Sequence, residues 1–441
     1  MRTRSLLFSS LLLMLALAVA SAQNAPSTGA AIEEGLAVPA TQAARGLPLV
    51  LGTEVRESRL AGGISFTGMY TDNVFLSANG QQSDVSYEIE PYLAWQQFTS
   101  RLSLDLSGGA GLVANQHISE RNQASENLGV DVAYRLKPHL RLRVDDSFVN
   151  TTGLFSGLNS SQQSGIGVVQ QQNSTLITPA SHVLTNSTLT ELTYQFAPHS
   201  EAGVRGVVSI LRYPDGATSI SNIPLFEGQS YSVETFYNRQ FSARQWFGVT
   251  VRAQRFESQS SQVRTDAGSA LLFYSLVPTS ALSISLLAGP QVTNTHVSPP
   301  LAATLGPFDH HNLTPTAGAT LSWQKSRTTA HLSYIRQASD GGGLFSAVTN
   351  ETVQAGIRQA LTDRQQVTFT FTYGGNETLT PGVTLRGYSS QAEYTRRLAA
   401  GLNGGGGYRF DRQGVDGTNT PAHANRFWIS LSYEFSKPLG R

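Results

Sequence analysis

The sequence has 441 residues, a net charge of +1 at pH 7 and no cysteine. The lack of cysteine excludes disulfides, cysteine-based metal sites and an acylated N-terminal cysteine, and the balanced charge gives no indication of a nucleic acid partner. Only 14% of the residues are Asp, Glu, Lys or Arg, a low fraction for a water-exposed surface of this size.

The N-terminal segment has the three parts of a secretory signal peptide. Two arginines precede the apolar stretch Leu6–Val19, and Ala20-Ser21-Ala22 follows as a small-residue cleavage site. We therefore expect residues 1–22 to be a signal peptide that directs export. Residues 23–59 show no sustained period and are predicted to form a periplasmic linker or tail.

From Leu60 onward the chain repeats one pattern, in which apolar and polar residues alternate between turn signals. A period of two is typical of strands, because successive side chains point to opposite faces of a sheet. The predicted strands are Leu60–Phe75, Ser83–Phe98, Arg101–Asn115, the two strands of Asn127–Phe148, Thr188–Phe196, Glu201–Tyr213, Tyr231–Arg239, Trp246–Phe256, Thr265–Leu276, Ala281–Ala288, Thr314–Trp323, Thr329–Arg336, Val353–Gln359, Gln366–Tyr373, Leu385–Thr395, Gly401–Phe410 and Asn425–Phe435.

This pattern predicts an all-β fold, a closed antiparallel transmembrane β-barrel over residues 60–441. We count eighteen strands, with sixteen as the alternative if one weak pair has been split. An even number lets the first and last strands pair and close the ring. The connections alternate between short and long, as they do in barrels with short periplasmic turns and long outer loops. The longest is Asn150–Asn186, which either folds into the lumen or extends outside. Another predicted loop is Gly289–Asn312.

Tyrosines recur on the apolar face close to the turns. Three of them share the pattern Tyr-x-Φ-x-Pro, where Φ is apolar. An amphipathic ring at headgroup depth is the aromatic girdle of membrane barrels, whereas a soluble sheet has no reason to repeat tyrosine at one depth. A soluble β-propeller is disfavoured because the strand repeat is two-stranded rather than four-stranded. The predicted girdle consists of Tyr134, Tyr194, Tyr274, Tyr394 and Tyr433.

Alternation assigns the charged residues of the strands to the lumen by subtraction, because a charge facing lipid at mid-depth costs about 2–4 kcal/mol. The candidates for the lumen and its narrowest point are Glu88, Glu90, Arg101, Asp105, Asp131, Arg135, Arg141, Arg143, Asp145 and Arg252. Further inward charges are Glu201, Arg205, Glu234, Arg358, Glu393, Arg409 and Glu434. These groups either create a transverse field that orients solutes or form ion pairs that rigidify the wall.

Catalytic and cofactor chemistry find little support. No Gly-x-Ser-x-Gly, phosphate-binding loop or zinc-protease motif occurs, and the pair His310-His311 on a predicted loop is more typical of solvated histidines than of a metal site. We expect no enzyme activity, no cofactor and no metal.

Tyr70-Thr-Asp-Asn-Val-Phe-Leu76 resembles the Tyr-x-Asp-Asn-(Val/Ile)-Phe opening of the putative, largely uncharacterised β-barrel porin family of bacterial outer membranes. The final strand, Phe427 to Phe435, also resembles the terminal strands that the outer-membrane assembly machinery recognises, although Ser436–Arg441 follows it. These resemblances imply the outer membrane of a Gram-negative bacterium as the location, with lipid and the assembly machinery as partners.

The sequence therefore favours a porin-like channel for passive diffusion of small polar solutes. The alternative is a structural or polysaccharide-export barrel with a narrow or plugged lumen. The sequence leaves open whether the barrels form homo-oligomers.

Overall fold

The computed structural model describes residues 58–119, 122–152, 182–214, 226–258, 263–297, 308–342, 345–379, 383–416 and 421–439. The predicted signal peptide and most of the predicted tail therefore lie outside the described residues, as do residues 153–181 of the longest predicted loop. No helix in the described ranges is long and apolar enough to cross a membrane.

Eighteen antiparallel strands form one closed sheet, in which each strand pairs with its neighbours in the sequence and β1 pairs with β18. The strands are β1 Arg59–Thr71, β2 Asp84–Phe98, β3 Leu102–Asn115, β4 Gln123–Lys137, β5 Leu140–Thr152, β6 His182–Ala197, β7 Ser200–Arg212, β8 Gly228–Ser242, β9 Gln245–Ser258, β10 Val263–Thr279, β11 Leu282–Val297, β12 Phe308–Lys325, β13 Thr328–Gly341, β14 Phe345–Thr362, β15 Gln365–Thr378, β16 Thr384–Ala399, β17 Leu402–Val415 and β18 Ala422–Pro438. The predicted barrel and its count of eighteen are confirmed.

The alternation in the sequence reappears as two distinct faces of the wall. Leu192, Val233 and Val251 lie on the outer face and are exposed, whereas their chain neighbours Glu191 and Glu234 point inward and are buried. Side chains that alternate in this way leave an apolar exterior and a polar interior, which is the pattern of a membrane-spanning barrel.

The two ends of the barrel differ. One end, which we call the short-turn end, carries tight turns such as residues 138–139, 198–199 and 280–281 between consecutive strands. The other end, the long-loop end, carries longer connections that include residues 72–83, 153–181 and 213–227. The predicted alternation of short and long connections is therefore confirmed.

Several predicted boundaries are wrong. The first strand ends at Thr71 rather than at Phe75, and it begins at Arg59, which the sequence placed in the tail. The predicted loop Asn150–Asn186 contains the end of β5 and the start of β6, which pair as far as Thr152 and His182. Asn150, His182 and Asn186 are polar residues at outward positions of these strand ends, so they interrupt the apolar signal without ending the strand.

The predicted loop Gly289–Asn312 is wrong over most of its length, because β11 continues to Val297 and β12 begins at Phe308. The prolines in this region suggested a loop, since proline lacks the N–H that a sheet needs. In the structure Pro290 lies opposite Pro315. Antiparallel pairs alternate between hydrogen-bonded and non-hydrogen-bonded, and two opposed prolines fit the second kind without losing a bond between them.

Candidate functional site

The candidate site is the barrel interior, and its most regular feature is a row of charged side chains along neighbouring strands. Arg143, Glu191, Arg205, Glu234 and Arg252 are successive cross-strand partners on β5 to β9. The side chain of each residue is on the inward face of its strand, and the register of the strands brings opposite charges side by side. We call these five residues the charge ladder.

Ion pairs connect the charge ladder in series from Glu191 to Arg252. Arg205 Nη2 lies 3.0 Å from Glu191 Oε2, and its Nη1 lies 3.2 Å from Glu234 Oε1. Arg252 Nη2 lies 2.6 Å from the other oxygen of Glu234. Glu191, Arg205 and Glu234 are at most 3% exposed, so these charges neutralise one another inside the wall.

Two aspartates attach to the first residue of the ladder. Arg143 Nη2 lies 2.6 Å from Asp131 Oδ2 and 3.4 Å from Asp145 Oδ2. Asp131 and Asp145 face each other across β4 and β5, and the guanidinium of Arg143 reduces the repulsion between them. Farther along β1 to β3, Arg59 Nε donates to Gln96, which donates to Asp105 at 2.7 Å.

The sequence-predicted lumen residues thus divide into groups. Asp105, Asp131, Arg143, Asp145 and Arg252 belong to the ladder or adjoin it. Glu88 and Glu90 point inward on β2, away from the ladder, where they accept hydrogen bonds from Ser125 and Asn127.

Three other candidates lie at the short-turn end. Arg101 is exposed in the turn before β3, which begins at Leu102, and Arg135 is exposed close to the end of β4. Arg141 is 42% exposed and its Nη2 lies 3.9 Å from Glu191 Oε1.

Glu191 was not among the residues predicted from the sequence, although its strand alternates as the others do. Thr190, Leu192 and Tyr194 are exposed on the outer face, which fixes Glu191 as inward. Glu191 contacts Arg141 and Arg205 and is a central member of the ladder.

A second interior cluster of charge lies on β17 and β18. Asp411 Oδ1 lies 2.8 Å from Arg409 Nε, and Asp411 Oδ2 lies 3.3 Å from Arg426 Nη1. Asp411 and Arg426 are at most 3% exposed. Among the described residues, no group of three or more histidine and acidic side chains is placed to hold a metal ion.

The interior narrows where the end of the β13–β14 hairpin turns inward. We call this part, residues 337–342 and 345–350, the inner hairpin. Ala338 and Ala347 pack with Phe256 of β9, Ala267 of β10 and Leu379 in one buried cluster. β9 and β10 lie three to five strands from β13 and β14 in the ring, so the inner hairpin lies within the lumen, over β11 and β12 and against β9 and β10.

Polar contacts hold the inner hairpin in the same place. Arg252 Nη1 donates to Gln337 Oε1 at 3.4 Å, which joins the end of the charge ladder to the hairpin. Gln291 Oε1 accepts a hydrogen bond from the backbone N–H of Ala338 at 2.8 Å. Neither Gln291 nor Gln337 was singled out by the sequence, because each is an uncharged residue on an inward face.

An apolar cluster bridges the interior at the long-loop end. Leu211 and Tyr213 at the end of β7 pack with Leu385 of β16, and Phe345 of the inner hairpin packs against them. β7 and β16 lie half of the ring apart. We call this set the mouth cluster, because side chains from opposite walls meet there and narrow the lumen at its long-loop end.

The predicted girdle tyrosines all lie on the outer face near the short-turn end. Their exposed fractions range from 37% for Tyr274 to 53% for Tyr194. Each lies near the C-terminal end of an even-numbered strand, for example Tyr134 in β4 and Tyr433 in β18. The common depth agrees with a girdle, and the girdle role itself stays a prediction.

No family model matches the sequence, and no curated protein matches it. Solved structures with a similar outline include OpdK of Pseudomonas aeruginosa with vanillate, at 9% identity and a TM-score of 0.43, with 86% of this chain and 99% of that chain covered. OccAB4 of Acinetobacter baumannii has 10% identity and a TM-score of 0.44, covering 87% and 100%. OccK2 (OpdF) of Pseudomonas aeruginosa with glucuronate has 12% identity and a TM-score of 0.44, covering 86% and 98%.

Proposed function

We propose that this chain is an outer-membrane channel through which small polar solutes diffuse passively. The observation that carries the proposal is a closed ring of eighteen strands with an apolar, exposed exterior and a charged interior. A ring of sixteen to eighteen strands is wide enough to leave an aqueous channel, and closure leaves no strand edge within the membrane.

The charge ladder supplies the chemistry for solute passage. Paired arginine and glutamate side chains along one wall create a transverse field in a water-filled lumen, and such a field orients dipolar or charged solutes without binding them tightly. The proposal assigns no catalytic residue and no cofactor. It places Tyr134, Tyr194, Tyr274, Tyr394 and Tyr433 at the headgroup level as a girdle.

The location and partners belong to the same proposal. We expect residues 1–22 to direct export, residues 23–57 to lie on the periplasmic side, and the barrel-assembly machinery to insert the barrel.

Single-channel recording in planar bilayers tests the channel directly. Purified protein should give discrete conductance steps, and liposomes that contain it should swell in small sugars. Absence of any conductance, from protein that resists unfolding in detergent as a closed barrel does, would falsify the proposal.

The second candidate is a structural or polysaccharide-export barrel whose lumen is narrow. The inner hairpin and the mouth cluster favour it, because both place apolar side chains across the lumen. The same recordings separate the two functions. A channel conducts in at least one of its states, whereas a structural barrel stays silent even when the inner hairpin is removed.

A further inference from the structure

The backbone hydrogen-bond pairing between β12 and β13, which is distinct from the charge ladder, ends before either strand does. Their last pair toward the long-loop end is Ala317 with Arg336. Beyond it, β12 continues to Phe308 paired with β11, and β13 continues to Gly341 paired with β14, and these two segments do not pair with each other. The wall of the barrel therefore separates between these two strands, at the point where the inner hairpin turns into the lumen.

Pro315 accounts for the place of the separation. Because Pro290 and Pro315 are opposed, the pair is non-hydrogen-bonded, and the backbone nitrogen and carbonyl of Pro315 point away from β11 toward β13. If the register of Ala317 with Arg336 continued, Pro315 would face Ala338. Proline has no N–H to give at that position, so the continued ladder would lack one of its bonds.

Gln291 accepts a hydrogen bond from the backbone N–H of Ala338, which has no backbone acceptor in β12 because the two strands do not pair there. Its side-chain oxygen accepts the N–H of Ala338 at 2.8 Å, and the hydroxyl of Thr316 also donates to it at 3.0 Å. A continued ladder would direct the same N–H to the carbonyl of Pro315. Ala338 therefore has two alternative acceptors, one on the lumen side and one in the wall.

We propose that the inner hairpin is a gate with two positions and that Gln291 is its latch. In the inward position, seen in this structure, Gln291 holds Ala338 and the apolar clusters close the outer lumen. In the wall position the hairpin continues the backbone pairing of β13 with β12, so that Leu313 faces Asp340 and the lumen widens. This inference rests on the proposed channel function and names its regulation.

Opposing interactions make both positions accessible. The inward position buries Ala338, Ala347 and Phe345 and forms the bond between Arg252 and Gln337. It leaves the backbone groups of β12 beyond Ala317 without a β13 partner, which is unfavourable for a strand edge within a membrane. The wall position satisfies that edge, apart from Pro315, and gives up the buried clusters.

Cysteine pairs can trap each position, because the chain has no cysteine of its own. Ala267→Cys with Ala347→Cys joins two members of one buried cluster and traps the inward position. Leu313→Cys with Asp340→Cys joins residues that become opposed only when the ladder continues. Leu321→Cys with Leu332→Cys is the control, because these residues are already partners in the ladder.

The expected results differ among the three pairs after oxidation in proteoliposomes. The inward pair should lower single-channel conductance at least several-fold, and a reductant should restore it. The wall pair should cross-link more slowly than the control and then hold the channel in its larger conductance. The control pair should cross-link fully without changing conductance.

Removal of the latch provides an independent test. Gln291→Leu should raise the fraction of time spent in the larger conductance several-fold, because the N–H of Ala338 loses its inward acceptor. Gln254→Leu on β9 is the matched control, since Gln254 is also an inward, buried glutamine, and its Nε2 has no partner among the described residues. It should leave the open fraction unchanged.

The gate and the channel fail in different ways. Equal conductance from the inward-linked and wall-linked proteins, or a wall pair that never cross-links, overturns the gate and leaves the channel intact. Silence in every state, the wall-linked one included, overturns the channel and the gate with it.

Discussion

At the scale of single residues, the buried arginine at the centre of the charge ladder does two things. Arg205 contacts Glu191 on one side and Glu234 on the other, and it is 3% exposed. It neutralises two carboxylates that would otherwise repel each other across β6 and β8. It also contributes positive charge to the lumen wall, so its removal should alter both stability and ion selectivity.

We predict that Arg205→Leu shifts the reversal potential toward cation selectivity and lowers the free energy of unfolding by about 3–5 kcal/mol, the cost of removing one partner from buried ion pairs. The measurements are bilayer recordings in a salt gradient and urea unfolding in lipid vesicles. Arg205→Lys keeps the charge and is the control for selectivity. Unchanged selectivity in Arg205→Leu would show that the ladder does not face the conducting path.

The motif that follows β1 is explained by hydrogen bonds that cross the closure of the barrel. Asp72 accepts hydrogen bonds from the backbone N–H of Asn425 at 2.7 Å and from its side chain at 2.6 Å. Asn73 donates to the carbonyls of Ser77 and His423. Val74 and Phe75 pack in a buried cluster with Trp428. Residues 72–75 were predicted to lie in the first strand, because alternation does not distinguish a strand from a loop that turns inward.

We expect Asp72→Ala to destabilise the barrel by about 1–3 kcal/mol, since two donors of Asn425 lose their acceptor where β1 meets β18. Thermal loss of the compact, heat-modifiable form on detergent gels measures this effect. Gln81→Ala, an exposed position in the same connection, should change stability by less than about 0.5 kcal/mol. Equal stability of the two variants would mean that the motif has no part in closure.

At the scale of strands, the outer and inner faces could be predicted from the sequence because alternation is a local property. The parity that placed Arg143 and Asp145 inward holds along most strands of the ring. The lengths of the strands were predicted less accurately than their faces. β11 and β12 pass through Pro290 and Pro315, and only the cross-strand register reveals that these prolines face each other.

The face assignment gives a matched pair of substitutions in β18. Ile429 is 69% exposed on the outer face, whereas its neighbour Ser430 points inward. We predict that Ile429→Arg impairs insertion, because an arginine facing lipid near mid-depth costs about 2–4 kcal/mol. Ser430→Arg should insert normally, since water solvates its charge in the lumen.

The amount of folded protein in purified outer membranes measures the result. Normal insertion of Ile429→Arg together with failure of Ser430→Arg would mean that the two faces have been exchanged. Failure of both variants would point to a packing defect in β18 rather than to an effect of lipid.

At the scale of the whole molecule, the barrel was predictable and its constriction was not. The number of strands follows from counting alternating segments, and closure follows from an even count. The inner hairpin has the same alternation as any other hairpin, so no local signal distinguishes it from a hairpin within the wall. Its position depends on contacts with β9 and β10, which are distant in sequence, and on Gln291 of β11.

The sequence pointed instead to the connection Asn150–Asn186, which was predicted either to fold into the lumen or to extend outside. The pairing of Thr152 with His182 shortens that connection to residues 153–181, which lie outside the described residues. Entry into the lumen stays one of its two predicted arrangements, and that arrangement would make this connection the alternative to the inner hairpin as the element that limits conductance.

Replacing each element by a short turn decides between them. Arg336 and Glu351 are cross-strand partners, so a glycine-rich turn can join them in place of residues 337–350. We predict that this variant conducts several-fold more than the native chain, because the removed residues pack across the lumen against β9, β10 and the mouth cluster. Replacing residues 153–181 by a turn between Thr152 and His182 should leave conductance unchanged. The opposite result, a larger conductance only when residues 153–181 are replaced, would assign the constriction to that connection and leave the inner hairpin as a part of the wall support.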